Sequence, residues 1–588
     1  MTNQMNDLEE IKQFSEKLQE SLYTQTVGHL PTAAAYCRAI DLRETIDRLV
    51  DSKMHVTPGL CVQAMVLDIL TGRSPLYHVR EFLSTCDREL LLGEDVDPED
   101  FEDWNLGRAL DAIAECGTGK IITELGIKAV QAFNLDARVV NFDTTSTSVW
   151  GEYQRKDNPD DLDITYGYSK DHQPSLKQFM TELLCIKGGI PIFGQAIDGN
   201  ASDKKRNNVL LQTIGARMRQ HGLGPGAFTY VADSAVVTKD NLSLLEGIRF
   251  VSRLPANFSC CGDVIDEALE QKNWSDTFTL QTVAAPENRP SASYKASEHT
   301  ADIDGRDYRV VVIHSTEKDK RRLKAIQSEK DRALRQVEKT MKKLSTAFFC
   351  MADAEKAIED ATKLGNALYY IEGTLTQTEV RKPGRPSKNG TISTRTKVTV
   401  DWKAIPNPEQ IALMEERAGC FALITSIPLD GNDAMDGKSV LETYKGQYAV
   451  EQNFVFLKDP IIVNDLFLKK PSRVDALAMV LIIALMVVRL MQHQMRAHLE
   501  ATNTTVIGLN KQKTKKPTYY AFMCNTRHIS ITVYVHSDDP KHKSRFMTKR
   551  QALNENQLTY LEALGLDETV FTESTAVPRP IISGESSP

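Results

Sequence analysis

The chain is read as an α/β protein whose sheet-based core is interrupted by a large mixed α+β insertion and preceded by a helical domain. Three observations predict this. Arg138-Val-Val-Asn-Phe-Asp143 and Phe228-Thr-Tyr-Val-Ala-Asp233 are short β-like runs, each closing on an aspartate. Tyr444 to Lys458 repeats its polar and apolar residues at helical spacing. Glu451 lies 218 positions after Asp233, far more than one turn or crossover needs.

In chain order, residues 1–29 form a polar N-terminal tail. Residues 30–130 carry helical periodicity at Pro31 to Val50, Gly59 to Leu70, Ser74 to Ser84 and Phe101 to Glu115, with Thr57-Pro58 reading as a helix start. From 135 to 255 the pattern turns to strands at Arg138 to Asp143, Thr147 to Tyr153, Phe179 to Ile186 and Pro191 to Ile197. A helix from Asn207 to His221, the strand ending at Asp233, a short helix after Thr238 and a strand from Phe250 to Arg253 follow. Three strands, a helix, a strand, a helix and a strand is the order of a ribonuclease-H-like fold. The insertion spans 256–418, the core resumes at 419–500, and 501–588 is a C-terminal region whose end, from Glu573, reads as a disordered tail.

Tyr444, Gln447, Glu451 and Lys458 fall at i, i+3, i+7 and i+14 and so line one helical face, with Val450, Phe454 and Leu457 on another. Taken alone, such a face is equally that of a solvated amphipathic helix. The strand-end aspartates change its meaning, because residues just past the carboxyl ends of strands in an open α/β sheet gather in one crevice. Asp143 and Asp233 there, with Glu451 from a helix, make an all-oxygen pocket suited to Mg²⁺ or Mn²⁺. Lys458 can meet a phosphate as a point charge, and Tyr444 and Gln447 can hydrogen-bond one.

The order Asp143, Asp233, Glu451, with Tyr444 and Lys458 flanking the glutamate, resembles the triad of bacterial and archaeal insertion-sequence DDE transposases of the Y-x2-R-x3-E-x6-K signature group. Gln447 stands where that signature has Arg, which removes a charge from the inferred DNA grip. The resemblance continues through Tyr166-Gly-Tyr-Ser-Lys-Asp-His172, Gly199-Asn-Ala-Ser-Asp203, Phe250-Val-Ser-Arg253 and the helical region from Leu30 to Leu83. It implies two divalent ions, with Asp143 between both, Asp233 on one and Glu451 on the other. It implies cleavage at the inverted repeats ending an element and strand transfer into target DNA, by a homodimer in the DNA complex. The helical domain would bind the element ends or, equally, serve dimerisation or packing. His172 would lie near the scissile phosphate or cap a turn. Some members stack an extruded base on an aromatic of the insertion, but Trp274 and Trp402, its only tryptophans, read as core. Rival readings are a nuclease of the same fold that cuts without joining, and a repurposed DNA-binding protein with a decayed site.

A net charge of -8 argues against a uniformly basic DNA-coating protein but leaves room for local basic stripes. One lies between Ser315 and Lys343, with eleven Lys or Arg against five acids, readable as a solvated helix or a DNA contact. Another is Arg381-Lys-Pro-Gly-Arg-Pro-Ser-Lys388, whose Arg385 is flanked as in a minor-groove hook, though an exposed basic turn has the same composition. Ten scattered cysteines without a C-x-x-C pair indicate neither zinc nor disulfides and fit a reducing cytoplasm, beside the nucleoid. Met1 to Tyr23 lacks a signal-peptide core, and Ala476 to Val488 is too short a run to span a bilayer, so no membrane is expected.

Overall fold

The computed structural model describes residues 22–72, 78–153, 161–224, 226–280, 292–316, 320–383, 394–431, 433–459, 468–539, 542–550 and 552–580. The chain divides into two compact units, the first made of Met1–Ser252 with Thr443–Pro588 and the second of Arg253–Glu442. The second unit includes the strand expected just after the insertion, Cys420–Thr425.

In the first unit, strand β1 (Leu22–Thr26) leads into helices α1 (Leu30–Ala39), α2 (Leu42–Leu49), α3 (Pro58–Ile69), α4 (Val79–Thr85), α5 (Arg88–Leu92), α6 (Asp103–Cys116) and α7 (Thr118–Ala132). The expected helix from Pro31 to Val50 breaks at Asp41, whose φ of 48° lies in the left-handed region. Helix α3 starts where the sequence signals it, with the Thr57 hydroxyl accepting from the Leu60 N–H at 3.3 Å.

Strands β2 (Val139–Val149), β3 (Lys177–Ile186) and β4 (Ile190–Ile197) form an antiparallel meander. Helix α8 (Asp203–Gln220) then leads to β5 (Thr229–Ala232), and α9 (Lys239–Leu244) to β6 (Arg249–Arg253). Strands β5 and β6 are parallel to each other, and β5 is parallel to β2. The resulting order is β4-β3-β2-β5-β6, with β2 one continuous strand where two short ones were expected.

The second unit holds α10 (Ser259–Gln271), β7 (Phe278–Thr279), β8 (Ser293–Ile303), β9 (Arg306–Ser315), α11 (Lys320–Met341), β10 (Ala347–Phe348), α12 (Met351–Thr362), β11 (Tyr369–Arg381), β12 (Thr394–Pro406), α13 (Pro408–Ala418) and β13 (Cys420–Thr425). Strand β13 pairs antiparallel with β9. Strands β11 and β12 form a 13-residue ribbon, packed on its inner half by Val337, Ala354, Ile371, Val400 and Trp402. Its outer half is exposed.

Back in the first unit come α14 (Gly437–Lys445, begun in the second unit), α15 (Tyr448–Leu457) and the 31-residue α16 (Pro471–Ala501). Helix α16 is long and apolar enough to cross a membrane, but its apolar window is 89% buried within the protein, packed against β4, α3, α6 and α7. That is the buried core helix the sequence suggests, extended at both ends. Beyond it lie β14 (Val506–Ile507), β15 (Lys513–Thr514), α17 (Tyr519–Thr526), β16 (Ser530–Asp539), β17 (His542–Arg550) and α18 (Glu555–Ala563), with β16 pairing with β1 at the other end of the chain. Residues 573–580 do not trail off as expected. Ala576 O accepts from Arg38 at 3.0 Å, and Arg579 bonds Gly565 and Gln494 through its backbone.

Candidate active site

Asp143 and Asp233 meet because of strand register. The parallel ladder pairs Phe142 with Ala232, so the next residue on each strand is an aspartate, and neighbouring strands run about 4.8 Å apart. Asp143 Oδ1 accepts from the Thr144 N–H at 2.7 Å. Asp233 caps the turn after β5, accepting from the Ala235 N–H at 3.0 Å, and its carbonyl accepts from the Ser252 hydroxyl at 2.9 Å. Burial pushes the Asp143 carboxyl up to about 7, with Asp233 and Asp203 adding to the rise and Lys170 opposing it. Asp233 is raised for the same first reason, burial. Two buried acids held uncomfortably as anions are poised to gain from a cation.

Two residues absent from the sequence-based site complete this cluster. Asp203, in the first turn of α8, accepts from the Thr144 hydroxyl at 2.5 Å. Lys170 donates to the Thr144 carbonyl at 2.8 Å and hydroxyl at 3.1 Å, and stands 3.3 Å from the Asp203 carboxylate. Neither has helical or strand periodicity to mark it. The only sequence signal was their presence in the two quoted polar segments.

Helix α15 lies over the face of the sheet that bears Asp143. Side chains alternate along a strand and directly opposite residues share a face, so Asn141, Asp143 and Cys185 point the same way. The Asn453 amide donates to Cys185 Sγ at 3.2 Å and to the Gly189 carbonyl at 2.7 Å. From behind, Arg489 on α16 donates to Asn453 Oδ1 at 2.7 Å. The approach at the β3–β4 turn needs Gly189, which has φ 76° and whose absent Cβ would come 3.1 Å from the Ala449 carbonyl. Val450, Phe454 and Leu457 are buried, as their spacing predicts.

Glu451 is exposed on this helix, two residues before Asn453. Among the described residues no group of three or more His, Cys, Asp or Glu is spaced to hold a metal ion. The structure thus brings Asp143 to Asp233 and leaves Glu451 outside their immediate cluster. The donors are all oxygens, a set that suits a hard divalent cation.

The expected single polar face is corrected. Instead of one helix from Tyr444 to Lys458, α14 and α15 are separated by Gly446 and Gln447, which turn through the three-residue bonds Gly446 N–H to Thr443 O and Gln447 N–H to Tyr444 O. Gln447 is consequently buried, 7% exposed, rather than on an open helical face. Tyr444 is half-buried at the end of α14. Lys458 is engaged by Asp171 at 2.5 Å. Arg385 lies outside the described residues. His172 occupies a turn with φ 57°, its N–H donating to the Ser169 carbonyl at 3.3 Å. A cleft of about 850 Å³ lined by Thr118, Lys120, Phe193, Arg206, Arg217 and Asp475 includes none of the predicted acids.

A family model described as "Domain of unknown function (DUF4277)" matches residues 22–127, which span β1 and most of the N-terminal helices and stop short of β2. No curated protein matches the chain.

Proposed function

We propose that the protein is a DDE-type DNA transposase with a ribonuclease-H-like core, cutting at the ends of its own element and joining the freed 3′-hydroxyls to target DNA. Asp143, in the middle of β2 where the parallel ladder with β5 ends, beside Asp233, which follows β5, beneath the helix that bears Glu451, is the observation that carries the proposal. The β4-β3-β2-β5-β6 order, with the acids on its first and fourth strands in sequence, supports such a core. The matched N-terminal domain is one found in transposase-like proteins, which supports the same class.

Asp143, Asp233 and Glu451 are the residues that would hold two Mg²⁺ or Mn²⁺ ions. Such ions, when bound, supply an activated water or 3′-hydroxyl and a stabilised leaving oxygen. The remaining work falls to the chain. Asn453 and Arg489 hold α15 over the pocket, so a modest shift of that helix decides where Glu451 points. Lys458 reaches a DNA phosphate by exchanging Asp171 for it. In the second unit, the exposed half of the β11–β12 ribbon presents Arg381, Lys382, Arg395 and Lys397, and a two-stranded ribbon fits the major groove of duplex DNA. Partners are then the inverted repeats, target DNA and a second copy of the chain, in a reducing cytoplasm.

The test is a reaction of the protein with linear DNA bearing the sequences that flank its gene, a target plasmid and Mg²⁺. The expected products are 3′-hydroxyl ends at the element boundaries and plasmids joined to them. Cutting without joining reduces the protein to a nuclease, and no cutting by protein that binds these ends rejects the proposal.

A further inference from the structure

The pocket at Asp143 already faces a cation belonging to the protein. Lys170 sits on a strap, residues 165–172, that starts where Thr165 bridges Gln178 on β3 and crosses toward β2. Two anchors fix its path. The Gln178 amide donates to the Tyr168 carbonyl at 3.3 Å, and the Lys170 N–H donates to the Ser146 hydroxyl at 3.0 Å. The Lys170 ammonium is thereby held on Thr144 and Asp203, the residue after Asp143 and that residue's own partner. Its charge also acts on Asp143 and Asp233, opposing the effect of burial on both. The adjacent Asp171 grips Lys458 at the end of the Glu451 helix.

An ammonium 3.3 Å from Asp203, whose charge also reaches Asp143 and Asp233, balances charge that would otherwise repel, and it must be repelled in turn by any second cation arriving there. Resting on the reading of Asp143 and Asp233 as a divalent-cation site, we propose that Lys170 is the resident counter-cation of this pocket and competes with the divalent ion. Cation binding then releases the Lys170 ammonium from Asp203 and Thr144 and loosens the strap that also holds Lys458. Asp203 and Lys170 thus set the affinity of the pocket without touching the scissile bond.

Calorimetric titration of the full chain with Mn²⁺, without DNA, tests this. Lys170→Gln and Lys170→Met should each bind Mn²⁺ at least about tenfold more tightly than the natural protein, whereas Lys170→Arg, which keeps the charge, should stay within about threefold of it. Affinity unchanged or weakened in both neutral variants overturns the proposal while leaving the cation site standing. Absence of Mn²⁺ binding in every form overturns the cation site as well. Should the neutral variants not fold, the natural protein still decides the matter by mass-spectrometric measurement of Lys170 acylation. The amine should react faster when Mn²⁺ is added, and an unchanged rate contradicts displacement.

Discussion

Asp143 and Asp233 are held by backbone, and Glu451 by side chains. The aspartates follow directly from a parallel ladder, so moving either means breaking strand pairing. Glu451 rides a ten-residue helix fixed by the Asn453 amide, the Arg489 guanidinium and the Lys458–Asp171 pair. A register-built pair is rigid and pays its electrostatic cost continuously, which is why burial raises both carboxyls. A tethered helix adjusts by exchanging hydrogen bonds. The contrast suits a site in which two ligands wait and a third arrives with cation and DNA.

The largest effect expected from breaking this contrast is chemical. Asp143→Asn or Asp233→Asn should lower DNA cleavage by at least about a thousandfold in single-turnover assays, because each removes an anionic ligand of the reacting centre. The same Asp143→Asn should stabilise the protein in chelator. A carboxyl raised from 3.8 to about 7 on folding binds its proton more tightly in the folded state, so stability falls as pH climbs through that window. Above about pH 7 the loss reaches at most about 4 kcal/mol, and the Asn variant should lack it in urea titrations.

Asp475 provides a control away from the acids. Burial raises its carboxyl to about 6, while Thr118 and the Ala196 N–H donate to it at 3.0 and 3.3 Å. The sign is the same, a stability loss as pH rises from about 4 to about 6, worth at most about 3 kcal/mol. Asp475→Asn should erase that segment of the pH profile and leave the Asp143 segment intact.

The tethers come next in size. Asn453→Ala leaves the Arg489 guanidinium without that acceptor and should cost about 1–3 kcal/mol in denaturant unfolding, with cleavage reduced beyond what the unfolded fraction explains. Gln447→Arg, which an exposed position would tolerate, should instead destabilise by about 1–3 kcal/mol, since a larger charged side chain must enter a buried site. The smallest effect belongs to the ribbon. Arg381→Ala with Lys382→Ala should make the salt dependence of DNA binding shallower by roughly one to two units of slope.

What could be read from sequence divides along the same line. The hydrophobic runs leading to Asp143 and Asp233 were visible from local composition, and the element order from β2 to β6 followed with them, although β2 continues past Asp143 to Val149. The buried stripe Val450, Phe454, Leu457 was visible through its period. The Gln447 face was not, because the chain between α14 and α15 tightens to three-residue bonds at Gly446 and Gln447, and no residue pattern records that change. Lys170, Asp171 and Asp203 were invisible as a set, since two strap residues and the first residue of α8 meet through tertiary paths that carry no period.

The most direct test of the central claim is anomalous diffraction from crystals of the protein with its flanking DNA and Mn²⁺. Manganese bonded to Asp143 and Asp233, with the Glu451 carboxylate turned in to complete the site, is the predicted result. Manganese absent from the aspartate pair, or bound there while Glu451 still faces solvent and the DNA lies elsewhere, would contradict it.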